Sequence, residues 1–451
     1  RPGCVGWRAS MSHYKPYPVY RDSGVEWIGQ VPEHWRVTPL KVIAETVNGT
    51  TPESGKPEYW DGDIAWYTPT DIDNEVASEL GVPRRYITQA GYESCAVKLS
   101  PPGSVILSTR APIGSVGITT IPSTINQGCR TLIPAQDVPT SYLASTLVAA
   151  REELRLRGNG TTFQELSTEA LRSLRVPMPP RSECVSIASG LDRETARFDA
   201  LIAKKTRFIE LLKEKRQALI THAVTKGLNP KAKMKASGVE WIGEVPEHWA
   251  VCKLSYRYSV ELGKMLDEKR ITGQHPIPYL RNKDVQWDSI NTAELPVMDI
   301  APNEHERYTV RNGDLLVCEG GDIGRSAVWR GSDNVIGYQK ALHRLRSLSP
   351  DKDCVEFYVY VLGAAKRNGV FEEGETKSTI SHLPAEKFRE YRFAFPPVDE
   401  QIEIMTSLKQ TLGRIDLLTE KTQRSIDLLR ERRAAFITAA VTGQIDLRES
   451  A

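Results

Sequence analysis

The feature that most constrains this chain is that much of its framework is written twice. Residues 23–37 read SGVEWIGQVPEHWRV and residues 237–251 read SGVEWIGEVPEHWAV, identical at thirteen of fifteen positions with an offset of 214. Far downstream, residues 197–225 align with residues 414–442 at an offset of 217, sixteen of 29 positions being the same. A proline pair ending at Pro180 precedes the first of these stretches, and one ending at Pro397 precedes the second. At 451 residues the chain exceeds one ordinary domain. A period of this size is too long for a solenoid, so each half is expected to be a domain carrying an appendage.

The appendages read as long helices. Leu191, Phe198, Leu201, Phe208, Leu212 and Leu219 follow an a/d-like spacing, and Ile415, Leu418, Leu429 and Phe436 take matching positions in the second copy. Residues 182–225 contain no proline and one glycine, which allows a helix of about 65 Å at 1.5 Å per residue. The remaining faces are crowded with Lys, Arg and Glu. A lone helix of this kind would leave its apolar stripe in water, so each needs a partner, and the other copy is the nearest. An antiparallel pair with approximate two-fold symmetry is expected, with Lys205 and Thr422 at core-type positions that help to fix register.

The two bodies differ from the helices and from each other. Each carries short β-type runs broken by Gly, Pro and Asn, among them DIAWYTPTDI (63–72), GSVILSTR (103–110), GDLLVCEG (313–320) and SAVWRG (326–331). The expected fold class is mixed α/β: two tandem domains with largely antiparallel sheets, separated by two long helices forming an antiparallel coiled coil. Shared points are few, such as Ile113-Gly114 with Ile323-Gly324, and Gln127 with Gln339. A near-identical framework around divergent bodies is what two different reading surfaces would need. The boundaries expected are an N-terminal extension (1–14, preceding the repeat and expected to be artefactual), a first recognition domain (15–180), a first spacer helix (181–226), a linker (227–236), a second recognition domain (237–397), a second spacer helix (398–443) and a tail (444–451). The start, KPYPVYRDSG, resembles the linker, so the two halves look like one cycle cut open.

Composition narrows the class. Hydrophobic residues at 40% and charged residues at 26% describe a soluble globular protein, and no apolar run reaches bilayer length. A net charge of +2 excludes an overall basic clamp and leaves room only for local basic faces. The seven cysteines are scattered with no C-x-x-C, so neither structural zinc nor a disulfide framework is expected, and reduced thiols in a cytoplasmic setting are.

The repeated SGVEWIG-x-VPEHW motif, the stretch NGTTPESGKPEYWDGDIAWYTPTDI (48–72), the helix start FPPVDEQIEI (395–404) and the paired helices together resemble the specificity subunit of type I restriction–modification enzymes. The resemblance runs from about Lys15 onward. It implies that each body is a target recognition domain reading one half of a split site in double-stranded DNA. It also implies that the helices dock two methyltransferase (modification) subunits, which two restriction (translocase–nuclease) subunits can join. The methyl donor and ATP belong to those partners, so no cofactor is implied for this chain. One departure stands out: PPRSECVSI (179–187) lacks the glutamine of the second copy.

The residues themselves offer no chemistry. The proline pairs read MPPR and FPPV rather than the D/N-P-P-Y/F tetrad of an amino-methyltransferase, and there is no G-x-x-x-x-G-K-[ST] phosphate cradle. GGDIG (320–324) lacks the dinucleotide fingerprint's spacing and reads as a tight loop; His34 and His248, in the repeated P-E-H-W turn, read as structural. No catalytic, metal or cofactor residue is expected. Arg pairs with guanine and Asn or Gln with adenine at major-groove edges. Loop candidates for that work are Thr68, Thr70, Arg110, Asn126, Gln127, Asn159 and Gln164 in the first body. In the second they are Arg281, Asn282, Lys283, Gln339, Lys340, Arg344, Lys377 and Ser378. The stretches NGTTFQEL (159–166), with Thr161 and Thr162, and GETKSTISHL (374–383) suit phosphate contacts. Trp66 and Tyr67 read as core. The alternative reading is a stand-alone, non-catalytic DNA-binding or architectural protein; a scaffold that binds only proteins would explain the helices but not the divergent bodies.

Overall fold

The structure is a computed structural model that describes residues 14–72, 77–158, 164–266, 272–331, 334–371 and 382–448. It divides into two units: residues 1–206 with 424–451, and residues 207–423. Each unit therefore takes half of each long helix, Arg181–Lys226 (46 residues) and Val398–Val441 (44 residues).

In unit 1 the strands are β1 (Tyr20–Asp22), β2 (Gln30–Pro32), β3 (Arg36–Pro39), β4 (Ala44–Asn48), β5 (Trp60–Tyr67), β6 (Ser78–Glu79), β7 (Arg85–Ile87), β8 (Val105–Ser108), β9 (Val116–Ile118), β10 (Ser123–Ile125), β11 (Cys129–Pro134) and β12 (Arg175–Met178). A five-stranded sheet has the order β4-β11-β8-β9-β6, and a three-stranded sheet the order β10-β5-β7. The run VILS of β8 is buried along its whole length because it lies inside the larger sheet with the core on one side and the smaller sheet's cluster on the other. Trp66 and Tyr67 are core, as their run suggested.

Unit 2 repeats the plan with β13 (Met234–Ala236), β14 (Glu244–Pro246), β15 (Ala250–Lys253), β16 (Tyr258–Leu262), β17 (Pro276–Leu280), β18 (Val285–Gln286), β19 (Ser289–Ile290), β20 (Val297–Asp299), β21 (Leu315–Cys318), β22 (Ser326–Val328), β23 (Gly337–Tyr338), β24 (Leu342–Ser347) and β25 (Arg392–Phe395). Its sheets run β16-β24-β21-β22 and β20-β17-β23. Most ladders are antiparallel. The parallel pairs β5/β10 and β17/β23 are equivalent in the two units, and they decide where the loops emerge.

The helices pair in opposite directions within each unit. In unit 1 Asp199 pairs with Arg433 at 2.9 Å while Gly190 lies against Leu447; in unit 2 Arg216 pairs with Asp416 at 3.2 Å while Gly227 lies against Glu400. The two ion pairs are the same pair written twice, at the repeat offset. The seam runs from Leu191 to Ala223, in alternating steps of four and three through Phe198, Ile202, Lys205, Ile209 and Leu212, and continues at Leu219, Ile220 and Ala223. Leu201 and Phe208, expected on it, are exposed at 47% and 41%, because the adjacent Ile202 and Ile209 take the seam positions, and one residue further along a helix turns a side chain by about 100°. Leu418 is likewise exposed, beside a seam of Ile404, Leu408, Leu412, Ile415, Thr422, Ile426, Arg433 and Phe436. Leu429 is half-buried and Thr422 buried, on that seam.

The repeated P-E-H-W turn anchors each helix start. His34 Nε2 lies 2.7 Å from Glu183, and Trp35 Nε1 donates to the same carboxylate at 2.9 Å. In unit 2 His248 and Trp249 meet Glu400 at 2.7 and 3.0 Å. The glutamine missing from the first copy is Gln401, buried and bonded to the Lys352 and Pro396 carbonyls; Cys184 stands in its place, also buried. All six described cysteines are free thiols. No helix among the described residues is long and apolar enough to cross a membrane.

Candidate nucleic-acid interface

Because β5 and β10 are parallel neighbours with Tyr67 opposite Ile125, the residues that follow them leave the sheet side by side. The Asn126 amide donates to the Tyr67 carbonyl at 3.0 Å, and the Thr50 amide to the Ile125 carbonyl at 3.0 Å. Thr109 joins them through the Gly128 carbonyl at 2.8 Å, and the Leu166 amide closes the group on Thr109 at 2.9 Å. One end of unit 1 thus gathers residues 49–51, 68–71, 109–110, 126–128 and 164–166.

Unit 2 builds the same end from the same bonds. Gln339 donates to Leu280 at 2.9 Å, Lys264 to Tyr338 at 3.0 Å, Glu319 to Ala341 at 2.9 Å, and Leu383 to Glu319 at 2.8 Å. These bonds fix the equivalences and correct the pairing drawn from sequence: Gln339 corresponds to Asn126, and Gln127 corresponds to Lys340. Glycine is required at the closest approach in both. A Cβ on Gly49 would lie 1.8 Å from the Asn126 carbonyl oxygen, and one on Gly263 2.4 Å from that of Gln339.

On this shared frame the side chains differ. Thr68 and Arg281 occupy equivalent positions ahead of a short 3₁₀ turn, and both have their amides capped by an aspartate three residues on, Asp71 and Asp284, at 2.8 Å. Thr68 Oγ1 bonds Asp71 and Thr70, whereas Arg281 grips Asp284 with Nε at 2.7 Å and a terminal nitrogen at 2.9 Å. Burial opposes ionisation of Asp284, but the Arg281 hydrogen bonds outweigh it and hold the carboxyl below its ordinary range. Two residues on from Thr68 and Arg281 stand exposed Thr70 in one unit and exposed Lys283 in the other.

The expected readers therefore sort by what they already hold. Gln127 is exposed, receives a bond from Thr51 Oγ1, and its carbonyl accepts Arg130 at 3.0 Å. Lys340 and Gln164 are also exposed, and Gln339 is half-buried. Arg110 is half exposed and paired with Glu165 at 3.2 Å. Asn126 turns its side-chain oxygen back to the Gly128 amide, and Asn282 spends its amide on the Gly320 and Ala341 carbonyls and its oxygen on Arg325. Arg344 does not belong to this surface. It is 3% exposed and donates to the Glu306 and Thr309 carbonyls, because its place inside β24 points it into the unit. Asn159, Thr161, Thr162, Lys377 and Ser378 lie outside the described residues.

Sequence reasoning missed Thr51 and Arg130. Arg130 reaches from β11 to the loop, and burial pulls its pKa down. A charged residue inside the apolar run CRTLIP was the one available signal.

The comparisons settle the family. The type I restriction modification DNA specificity domain matches residues 32–211 and again residues 246–426. The chain belongs to the type I restriction–modification specificity family. Among curated members of this specificity family, the MjaIX specificity subunit of Methanocaldococcus jannaschii is 32% identical over 57% of this chain, a match that spans 59% of that relative. The Escherichia coli EcoKI specificity subunit is 21% identical over 92% of this chain and 90% of its own length. A chain from a solved type I R-M system superposes with a TM-score of 0.68 at 15% identity, covering 91% of this chain and 98% of that one. The HsdS subunit from Thermoanaerobacter tengcongensis gives 0.54 at 16% identity over 92% and 98%. These two structures bear on the specificity fold alone.

Proposed function

We propose that this chain selects the DNA sequence on which a type I restriction–modification complex acts, and carries no catalytic centre of its own. Residues 15–180 and 237–397 each read one half of a split double-stranded target. The observation that carries this reading is the pair of equivalent loop ends: one backbone frame, with Thr68 against Arg281, Thr70 against Lys283, Asn126 against Gln339 and Gln127 against Lys340. Identical frames with different donor and acceptor sets are what two unlike half-sites require, since base identity is read by the hydrogen-bonding pattern of groove edges. Gln127, Thr70, Lys283 and Lys340 are the foremost readers because they are exposed at the end of each frame. Arg110 and Arg281, tied to carboxylates, would first exchange them for guanine or phosphate.

The helices supply the docking surface for two methyltransferase subunits, with which two restriction subunits can associate. Support comes from apolar side chains left in water at repeat-equivalent positions: Leu201 and Leu418, Leu211 and Leu428, all between 42% and 49% exposed. Repetition of the same exposed leucine twice in one chain fits two copies of one partner. A stand-alone DNA-binding protein would have no use for that stripe, and the family match does not favour it.

The test is a genome-wide map of N6-methyladenine in cells holding the cognate modification subunit, with and without this chain. A split motif with a fixed gap, methylated only when the chain is present, is the expected result. Absence of any new motif, with both proteins soluble and associated, would overturn the recognition role.

A further inference from the structure

The two helix starts are built alike but are filled differently. In unit 1 Glu183 receives Tyr17 Oη at 3.2 Å and an Arg448 terminal nitrogen at 3.4 Å, beyond its bonds to His34 and Trp35. Arg448 is held in turn by Asp446 at 2.9 Å and lies over the Tyr17 ring at 4.8 Å. Two separate segments of chain, 14–23 and 443–448, meet there: Tyr20 Oη donates to the Gly443 carbonyl at 3.0 Å, and the Asp446 amide to that of Lys15 at 2.9 Å.

Unit 2 has only the linker for both tasks. By the repeat offsets of 214 and 217, Tyr17 and Arg448 both correspond to one residue, Lys231. The linker copies the tail's turn, its Asn229 side chain accepting the Lys231 amide at 3.0 Å as Asp446 accepts that of Arg448 at 3.0 Å. Yet Lys231 is exposed and does not line the cavity beside Glu400. That cavity, about 390 Å³, is bounded by Lys226, Asn229, Ala232, Pro246, His248, Pro397 and the carboxylates of Asp399, Glu400 and Glu403. The equivalents of Asp399 and Glu403 in unit 1 are Ser182 and Ser186, so the unfilled copy is also the more acidic one.

The basic side chains that line it are already engaged, and neither is bonded to Asp399 or Glu403. Lys226 directs its ammonium at the Ile242 and Glu244 carbonyls, and His248 is engaged with Glu400. A metal ion does not fit either, because among the described residues no three acidic, His or Cys side chains come close enough to ligate one. Acidic residues in a helix's first turn are common in themselves. What distinguishes this set is that its repeat copy, on the equivalent glutamate and the equivalent tryptophan–histidine clamp, holds a guanidinium.

We propose that the cavity at the start of the second long helix is a receptor for an arginine side chain presented by a partner protein segment, which occupies it as Arg448 occupies its counterpart in unit 1. A planar guanidinium donates to several carboxylate oxygens at once, a geometry that an ammonium cannot reproduce.

The probe is the tail's own sequence as a free peptide, acetyl-Gln-Ile-Asp-Leu-Arg-amide, titrated against the full chain by calorimetry. One peptide binds per chain, salt weakens it, and the citrulline analogue binds about tenfold or more weaker. The same loss accompanies the double substitution Asp399→Asn, Glu403→Gln; both positions are exposed, and an unchanged melting temperature shows that the fold survives. No binding at millimolar peptide, equal binding by the citrulline analogue, or binding that persists in the double variant each overturns the proposal. The last outcome would place the peptide in unit 1, in exchange for the chain's own tail.

Discussion

Unit 1 and unit 2 hang different side chains on one set of backbone bonds. Four contacts, from the amide after the central parallel strand to the closing amide at Leu166 or Leu383, recur within about 0.1 Å of each other in the two units. Around them the residues change from Thr to Arg, Thr to Lys and Gln to Lys. A backbone frame needs only glycine at its crossing point and apolar residues beneath it, conditions that many sequences meet. Its outward side chains are then free to vary without unfolding the unit, which is how two readers can descend from one scaffold. The helix pair shows the opposite economy: its ion pair Asp199–Arg433 and its copy Asp416–Arg216 keep the same residue types in both units, at 2.9 and 3.2 Å.

The strongest way to break the comparison is through the helices they share. Inserting one heptad after Thr206 and one before Arg424 keeps every seam contact within each unit and lengthens both helices by about 10 Å, or about 3 bp of DNA. A methylation map should then show the same two half-sites with a longer gap. New half-sites with the old gap would mean that the helices do not set the spacing.

Acid should separate the units next. Position 130 in unit 1 is a half-exposed arginine; its equivalent in unit 2 is His343, whose pKa burial pulls down to about 4 while Nε2 stays 2.7 Å from the Leu383 carbonyl. An unfolded histidine takes its proton near pH 6.5, so between about 6.5 and 4 the unfolded chain binds more protons and stability falls as pH drops. The loss attributable to this group is of order 3 kcal/mol at pH 4. Melting curves across that range should show the unit 2 transition moving further than that of unit 1, and His343→Gln should reduce the difference. Parallel movement of both transitions would assign acid sensitivity to groups common to the two.

Single reader substitutions sharpen the comparison on a smaller scale. Gln127→Ala should relax one half-site only and Lys340→Ala the other, each by about 2 kcal/mol of discrimination where the contact is to a base edge. Uniform weakening of all sequences after Lys340→Ala would reassign that lysine to phosphate. Loss of all preference would mean that the residue supports the frame.

The smallest contrast lies in the paired ions. Asp199→Ala strands Arg433, whose side chain is 10% exposed, and should cost about 2 kcal/mol in denaturant unfolding. Asp416→Ala strands Arg216, 40% exposed, and should cost less than about 0.5 kcal/mol. Equal costs would show that the two ends of the helix pair share one environment.

Much of this is legible in the sequence. Tandem repetition, apolar spacing and the absence of proline over residues 182–225 determine two bodies and two long helices, because periodicity and helix breakers act locally along the chain. The repeated P-E-H-W turn announced a structural role for His34 and His248, though not that each would clasp a glutamate about 150 residues away. Which of two adjacent residues holds the helix seam was not legible: Leu201 and Ile202 are both apolar, and only the partner helix decides which one it covers. Arg344 and Gln127 look equally suited to meeting DNA as sequence, yet one is buried in β24 and the other stands at the end of the frame. The equivalence of Gln127 with Lys340 was hidden as well, since insertions between the bodies erase sequence register while the hydrogen bonds between parallel strands preserve it. Local pattern specifies elements; which side chains face water, and which loops stand together, depends on long-range packing that no single stretch of sequence contains.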